Sequence, residues 1–201
     1  FEIHDTEKIA VVGRNGCGKT TLLKLIAGEI EMSNPDSDEE CGITMAGTQR
    51  LGYLRQLSFE DGSITLENEI LKVFKPVFDC EKKMQDISKR LESMSKQQEA
   101  SSVLLREYAA LQAKMEALGG YSYRTDMESL FQQFGFALED WKRPVGSFSG
   151  GQLTRVAFIK LLLEKPDIML LDEPTNHLDM PTIEWLEGYL KNYKGAVVMV
   201  S

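Results

Sequence analysis

The feature that most constrains this chain is a glycine-bearing segment near its start, Gly13-Arg14-Asn15-Gly16-Cys17-Gly18-Lys19-Thr20. It follows an apolar, β-branched run at residues 8–12 and opens an apolar-periodic stretch over residues 19–27. The local order therefore reads strand, loop, helix. The segment meets G-x-x-x-x-G-K-[ST] at every fixed position. Glycines let backbone N–H groups converge on phosphate oxygens, and a helix start adds partial positive charge. In such a loop Lys19 would reach the β- and γ-phosphates of ATP, and the Thr20 hydroxyl would ligate Mg2+. Arg14, Asn15, Gly16, Cys17 and Gly18 before them, and Thr21 after, would complete the nucleotide cradle.

Two further segments carry chemistry. The apolar run Ile168-Met169-Leu170-Leu171 ends in Asp172-Glu173. A buried strand would deliver Asp172 at its carboxyl end, where open α/β sheets bind ligands. Asp172 is expected to hold the metal ion through water, and Glu173 to orient and activate the attacking water. The other segment, Ser149-Gly150-Gly151-Gln152, precedes an amphipathic stretch. It reads as a second anion-binding helix start, with Ser149 as its cap. Helices are expected over 152–163, stopped by Pro166, and over 182–191, with strands at 51–54, 168–171 and 196–200. Alternating strands and helices imply a mainly parallel sheet flanked by helices.

The middle of the chain has a different period. Apolar positions Val77, Cys80, Met84, Ile87, Leu91 and Met94 recur at alternating steps of three and four, as do Leu104, Tyr108, Leu111, Met115 and Leu118. Two narrow heptad seams separated by a polar interval predict an antiparallel helical hairpin over about 76–120. Pro76 suits a first helical turn, and Gly119-Gly120 a helix end. The expected organisation is an ATP-binding core of RecA-like type at 1–67 and 145–201, with part of a small β subdomain. A helical subdomain at 68–144 carries the hairpin.

Composition bounds the function. A net charge of −8 argues against a polybasic nucleic-acid binder. Cys17, Cys41 and Cys80 have neither metal-ligand spacing nor an even count, which fits a reducing, cytoplasmic setting. No apolar stretch is long enough to span a bilayer. Phe1 enters directly into a strand-like pattern and residue 201 follows directly on another, so the chain reads as a fragment of something longer.

In this order, residues 13–20, Ser149-Gly150-Gly151-Gln152 and 168–173 closely resemble the Walker A, signature and Walker B motifs of ATP-binding-cassette ATPases. Gln56, in Gly52-Tyr53-Leu54-Arg55-Gln56, resembles the Q-loop glutamine, which in that family contacts magnesium and the attacking water. His177-Leu178-Asp179 resembles the D-loop. Phe148 stands where many members have leucine, a conservative departure. The run Glu173-Pro174-Thr175-Asn176-His177-Leu178-Asp179 resembles the ABC-F subfamily, whose members carry two ATPase domains in one chain and no membrane domain. In their first ATPase domain a helical hairpin, the arm, lies between Q-loop and signature, where the heptad hairpin of this chain also falls.

That resemblance implies a composite site. Lys19, Thr20, Asp172, Glu173 and Gln56 would serve the nucleotide bound here. Ser149, Gly150, Gly151, Gln152 and Asp179 would serve one bound by a second nucleotide-binding domain of the same parent chain, or by a dimer partner. It also implies partners at the ribosome, its rRNA or tRNA, in translation or antibiotic protection. The competing reading is the ATP-hydrolysing motor subunit of a membrane transporter. A chromosome or repair ATPase would need a far longer insertion. On the first hairpin helix Lys82, Lys83, Lys89, Arg90 and Lys96 slightly outnumber Asp79, Glu81, Asp86 and Glu92, which fits an RNA-facing surface only weakly. The family's adenine-stacking aromatic would precede Phe1, and its switch histidine would follow Ser201. The isolated fragment is therefore expected to hydrolyse ATP poorly.

Overall fold

Four strands of this chain share one sheet, and every pairing in it is parallel. In the computed structural model, residues 2–31, 42–45, 47–54, 61–93, 98–176 and 178–201 are described. The described chain forms two compact units, Phe1–Glu60 with Phe148–Ser201, and Asp61–Ser147.

The first unit contains β1 (Lys8–Val11), α1 (Lys19–Ile26) and β2 (Leu51–Tyr53). It then takes up α6 (Gly150–Glu164), β3 (Ile168–Asp172), α7 (Met180–Lys191) and β4 (Ala196–Val200). Strand order is β1-β4-β3-β2. The register aligns Asp172 with Val200 and Val11 with Val200, so β1, β3 and β4 end at one level. Met169, Leu170, Leu171 and Val198 are buried, as expected for strands covered on both faces. One face packs Leu23 of α1 against Ile168, Leu170, Ala196, Val198 and Val200. Burying a leucine such as Leu23 contributes about 1.5–3 kcal/mol.

Two local devices set the approach of α6 to the sheet. Lys165, at the end of α6, takes φ 46° in the left-handed region, ending the helix just before Pro166. At Gly52 in β2, an added Cβ would lie 2.5 Å from Leu161 Cδ1 and 2.6 Å from Pro166 Cγ, so only a residue without a side chain lets the helix end sit there. The expected helix over 152–163 starts two residues earlier, because Ser149 and Gln152 form a capping box that draws the glycines into the first turn. Likewise α7 starts at Met180, not residue 182, because Asp179 caps it and Pro181 fits its first turn.

The second unit contains α2 (Leu66–Leu71), α3 (Lys75–Ser93), α4 (Gln98–Ala117) and α5 (Tyr123–Gln133). Its two ends are joined by backbone bonds from Leu66 to Arg143, Val145 to Ile64 and Gly146 to Gly62. The heptad seam is visible in burial: Val77, Cys80 and Ile87 on α3, and Leu104 and Met115 on α4, are buried. Gly119 is left-handed at φ 67°, and Gly120 N–H donates to the Met115 carbonyl at 2.9 Å. This is a Schellman-type end. It lays Gly120 against Val77 at the start of α3, so the two helices run antiparallel. Helix α5 buries Tyr123, Met127, Leu130 and Phe131 at helical spacing. It is held by Tyr123, whose ring lies 4.8 Å from Phe74 and 5.6 Å from Phe78, and by Phe131, 4.7 Å from Trp141. Trp141 is thus a packing residue, as is Trp185, stacked 5.3 Å from Tyr189.

Candidate functional site

The phosphate loop leaves β1 at the carboxyl edge of the sheet and enters α1. Gly16 and Gly18 take φ of 83° and 95°, a region that L side chains rarely adopt, and these two turns fold the loop back on itself. Cys17 N–H donates to the Arg14 carbonyl at 3.2 Å and closes the loop. Gly18 caps α1 without a side chain, and the first helical bond runs from Leu22 N–H to the Gly18 carbonyl. The N–H groups of Lys19, Thr20 and Thr21 therefore carry no intrahelical bond, and no acidic residue stands in the first turn. This helix start is open to an anion, whereas α6 and α7 are capped by their own side chains. The loop residues Arg14, Asn15, Gly16, Cys17 and Gly18 are exposed. Lys19 is buried to 9% exposure, its ammonium donating to the carbonyls of Gly13 at 2.8 Å and Arg14 at 3.3 Å.

The acidic pair stands at the end of β3. Asp172 is half-buried, and among the described residues its buried Oδ1 meets no hydrogen-bond donor. Such an orphaned carboxylate oxygen costs free energy unless water or a cation satisfies it. Glu173 is exposed and takes φ 44°, a strained value for a non-glycine residue costing about 1–3 kcal/mol. Its N–H donates to the Val200 carbonyl at 3.0 Å, and its Oε2 accepts from Asn176 Nδ2 at 2.6 Å.

An open cleft of about 730 Å³ unites these groups: Thr20, Lys24, Tyr53, Asp172, Glu173 and Asn176 are among its lining residues. The residues present fit magnesium. Thr20 would offer a hydroxyl and Asp172 an unsatisfied carboxylate oxygen. No cluster of three acidic, His or Cys ligands exists among the described residues. Magnesium characteristically takes one or two carboxylates plus substrate phosphates, so a larger cluster is not required.

Other expected site residues stand apart from the cleft lining. Ser149 and Gln152 exchange cap bonds, Ser149 N–H to Gln152 Oε1 at 2.9 Å and Gln152 N–H to Ser149 Oγ at 3.4 Å. The Ser149 hydroxyl accepts in this bond, so its own hydrogen remains available to donate. Gly150 and Gly151 form the first turn of α6, with open space where a Gly150 side chain would stand. Asp179 Oδ1 accepts from Thr182 N–H at 2.9 Å. Hydrogen bonds from the Thr182 side chain and then from its backbone hold the Asp179 carboxyl below its ordinary range. Gln56 and His177 lie outside the described residues, although Leu54, shortly before Gln56, lines the cleft. Asn176 was missed by sequence reasoning. Its signal was present: an amide three residues after Glu173 across a proline turn.

An uncapped glycine loop at a strand's carboxyl end, opening a helix whose Thr20 shares one cleft with a strand-end acidic pair, defines an ATP-binding domain of the phosphate-loop class. The family pattern described as ABC transporter matches residues 1–176, and the chain belongs to that family. The YdiF protein of Bacillus subtilis is 41% identical over 201 residues, covering 100% of this chain and 30% of that protein. ABC transporter F family member 5 of Arabidopsis thaliana is 38% identical over 201 residues, covering 100% of this chain and 28% of that protein. The chain thus spans under a third of the length of these curated relatives. An ATP-binding subunit of an ABC transporter shares the fold, with TM-score 0.63 at 18% identity over 100% of this chain and 70% of that one. Among the described residues no helix is long and apolar enough to cross a membrane.

Proposed function

We propose that this chain is the first nucleotide-binding domain of a cytoplasmic ABC-F protein, and that it hydrolyses ATP in a composite site shared with a second such domain. The observation that carries the hydrolytic reading is the meeting of Thr20, Asp172 and Glu173 in one cleft beside the uncapped start of α1. Lys19 would exchange the carbonyls of Gly13 and Arg14 for phosphate oxygens, and the free N–H groups of α1 would bind the same anion. Thr20 and Asp172 would hold magnesium, which when bound neutralises charge on the β- and γ-phosphate oxygens. Glu173 would accept a proton from the water that attacks the γ-phosphorus, the bond to ADP breaking as the new P–O bond forms. Ser149, Gly150, Gly151, Gln152 and Asp179 are assigned to a nucleotide held by the other domain on their resemblance to the family's signature and D-loop motifs.

The ribosomal reading is supported by the α3–α4 hairpin, inserted between β2 and α6 where ABC-F proteins carry their arm, and by relatives named as F family members. The test uses the full-length protein carrying Glu173→Gln, sedimented with ribosomes with and without ATP. ATP-dependent association is the expected result. Association with membranes instead would favour the transporter-motor reading.

A further inference from the structure

The residue that fixes the Glu173 carboxylate is not a neighbour in space recruited from elsewhere but the fourth member of its own turn. Asn176 N–H donates to the Glu173 carbonyl at 3.1 Å, closing a four-residue turn over Pro174 and Thr175. Proline at the second position of such a turn pre-sets the backbone, and asparagine tolerates its final positions well. Closure sets the first and fourth side chains side by side, and Asn176 Nδ2 donates to Glu173 Oε2 at 2.6 Å. Among the described residues no donor meets the second oxygen, Oε1. Asn176 and Glu173 both line the cleft that holds Thr20 and Asp172.

We propose that Asn176 is a positioning residue for hydrolysis: its amide anchors one oxygen of Glu173 so that the other is presented to the attacking water. This rests on the reading of Glu173 as the base. A glutamate has three side-chain torsions, and Glu173 is exposed, so without a tether its carboxylate would spread over many positions. Misplacement of a reacting group by about 1 Å can cost on the order of a hundredfold in rate. A neutral amide is the suitable tether. It orients the carboxylate without the full positive charge of a lysine or arginine, which would draw the proton-accepting group into an ion pair. The strained backbone at Glu173 is held at the other side by its N–H bond to Val200, so both the main chain and the carboxylate are fixed relative to the sheet.

The test compares Asn176→Ala, Asn176→Asp and Asn176→Gln with wild type in the full-length protein, the equivalent glutamate of the proposed second domain being replaced in every sample. Affinity is read with a fluorescent ATP analogue and turnover at saturating ATP. Asn176→Asp is the informative variant, since aspartate suits the turn equally but has no amide donor. Expected is a loss in kcat of about tenfold or more for Ala and Asp, with nucleotide Kd within about twofold, and partial recovery by Gln. Wild-type kcat in Asn176→Asp, a kcat loss matched by the loss in affinity, or no recovery by Gln would overturn the proposal. Glu173→Gln is measured alongside. If it turns over normally, the base assignment fails; if it is inactive while Asn176→Asp is normal, only the role of Asn176 fails.

Discussion

Glu173 and Val200, on different segments of the chain, are joined by a 3.0 Å hydrogen bond from the Glu173 N–H to the Val200 carbonyl. Asp172 pairs with Val200 in the same register, and Val11, just before the phosphate loop, pairs with Val200 from the other side. One residue at the end of β4 therefore sets the spacing between the acidic pair and the loop.

Lys19→Ala is expected to weaken ATP binding by roughly 10–100-fold, the usual worth of a hydrogen bond to a charged group. Titration with a fluorescent ATP analogue checks it. Lys19→Arg should recover little, because a planar fork does not fit a position where the ammonium reaches two loop carbonyls.

Asp172→Asn should leave the fold intact and raise the magnesium concentration needed for half-maximal ATP turnover by about tenfold or more. The neutral amide cannot offer the anionic oxygen that, among the described residues, stands buried without a donor. A magnesium titration giving the wild-type midpoint would remove Asp172 from the metal site.

Gly52→Ala is expected to destabilise the domain by about 1–3 kcal/mol through overpacking against Leu161 and Pro166. Thermal unfolding reads the change. Gly150→Ala, where open space surrounds the site, should show no such clash and serves as the comparison.

The cap of α7 makes a pH-dependent contribution. The Asp179 carboxyl is held below its ordinary range in the folded state, first by the Thr182 side chain and then by its backbone N–H. The sign follows: the stabilisation is fully present above the ordinary carboxylate range and is lost as acid protonates the folded form. Asp179→Asn keeps an acceptor but cannot titrate there, so its stability should fall less steeply in acid than that of wild type. Denaturant midpoints measured from neutral to acidic pH compare the two.

Much of this architecture was legible in the residue order because its signals are local. The loop from Gly13 to Lys19 needs only its own glycines and the helix it opens. The hairpin needs only the alternation of Val77, Cys80, Ile87, Leu104 and Met115, all buried as the seam requires. Helix α5 has a period of its own in Tyr123, Met127, Leu130 and Phe131, but the sequence alone does not reveal its ring partners, Phe74 against Tyr123 and Trp141 against Phe131. Asn176 was overlooked because its role depends on turn closure.

By itself the sequence determined the phosphate loop, the strand-borne acidic pair, the capped start of α6 and the helical hairpin, since each is set by contacts within a few residues or by a repeating period. Only the tertiary structure decided that Thr20, Asp172, Glu173 and Asn176 share a cleft, while Ser149 and Asp179 cap their own helices outside its lining. The physical reason is strand order. Parallel pairing of β3 and β1 on either side of β4 brings their carboxyl ends to one level, and that order is chosen by burial of the whole sheet.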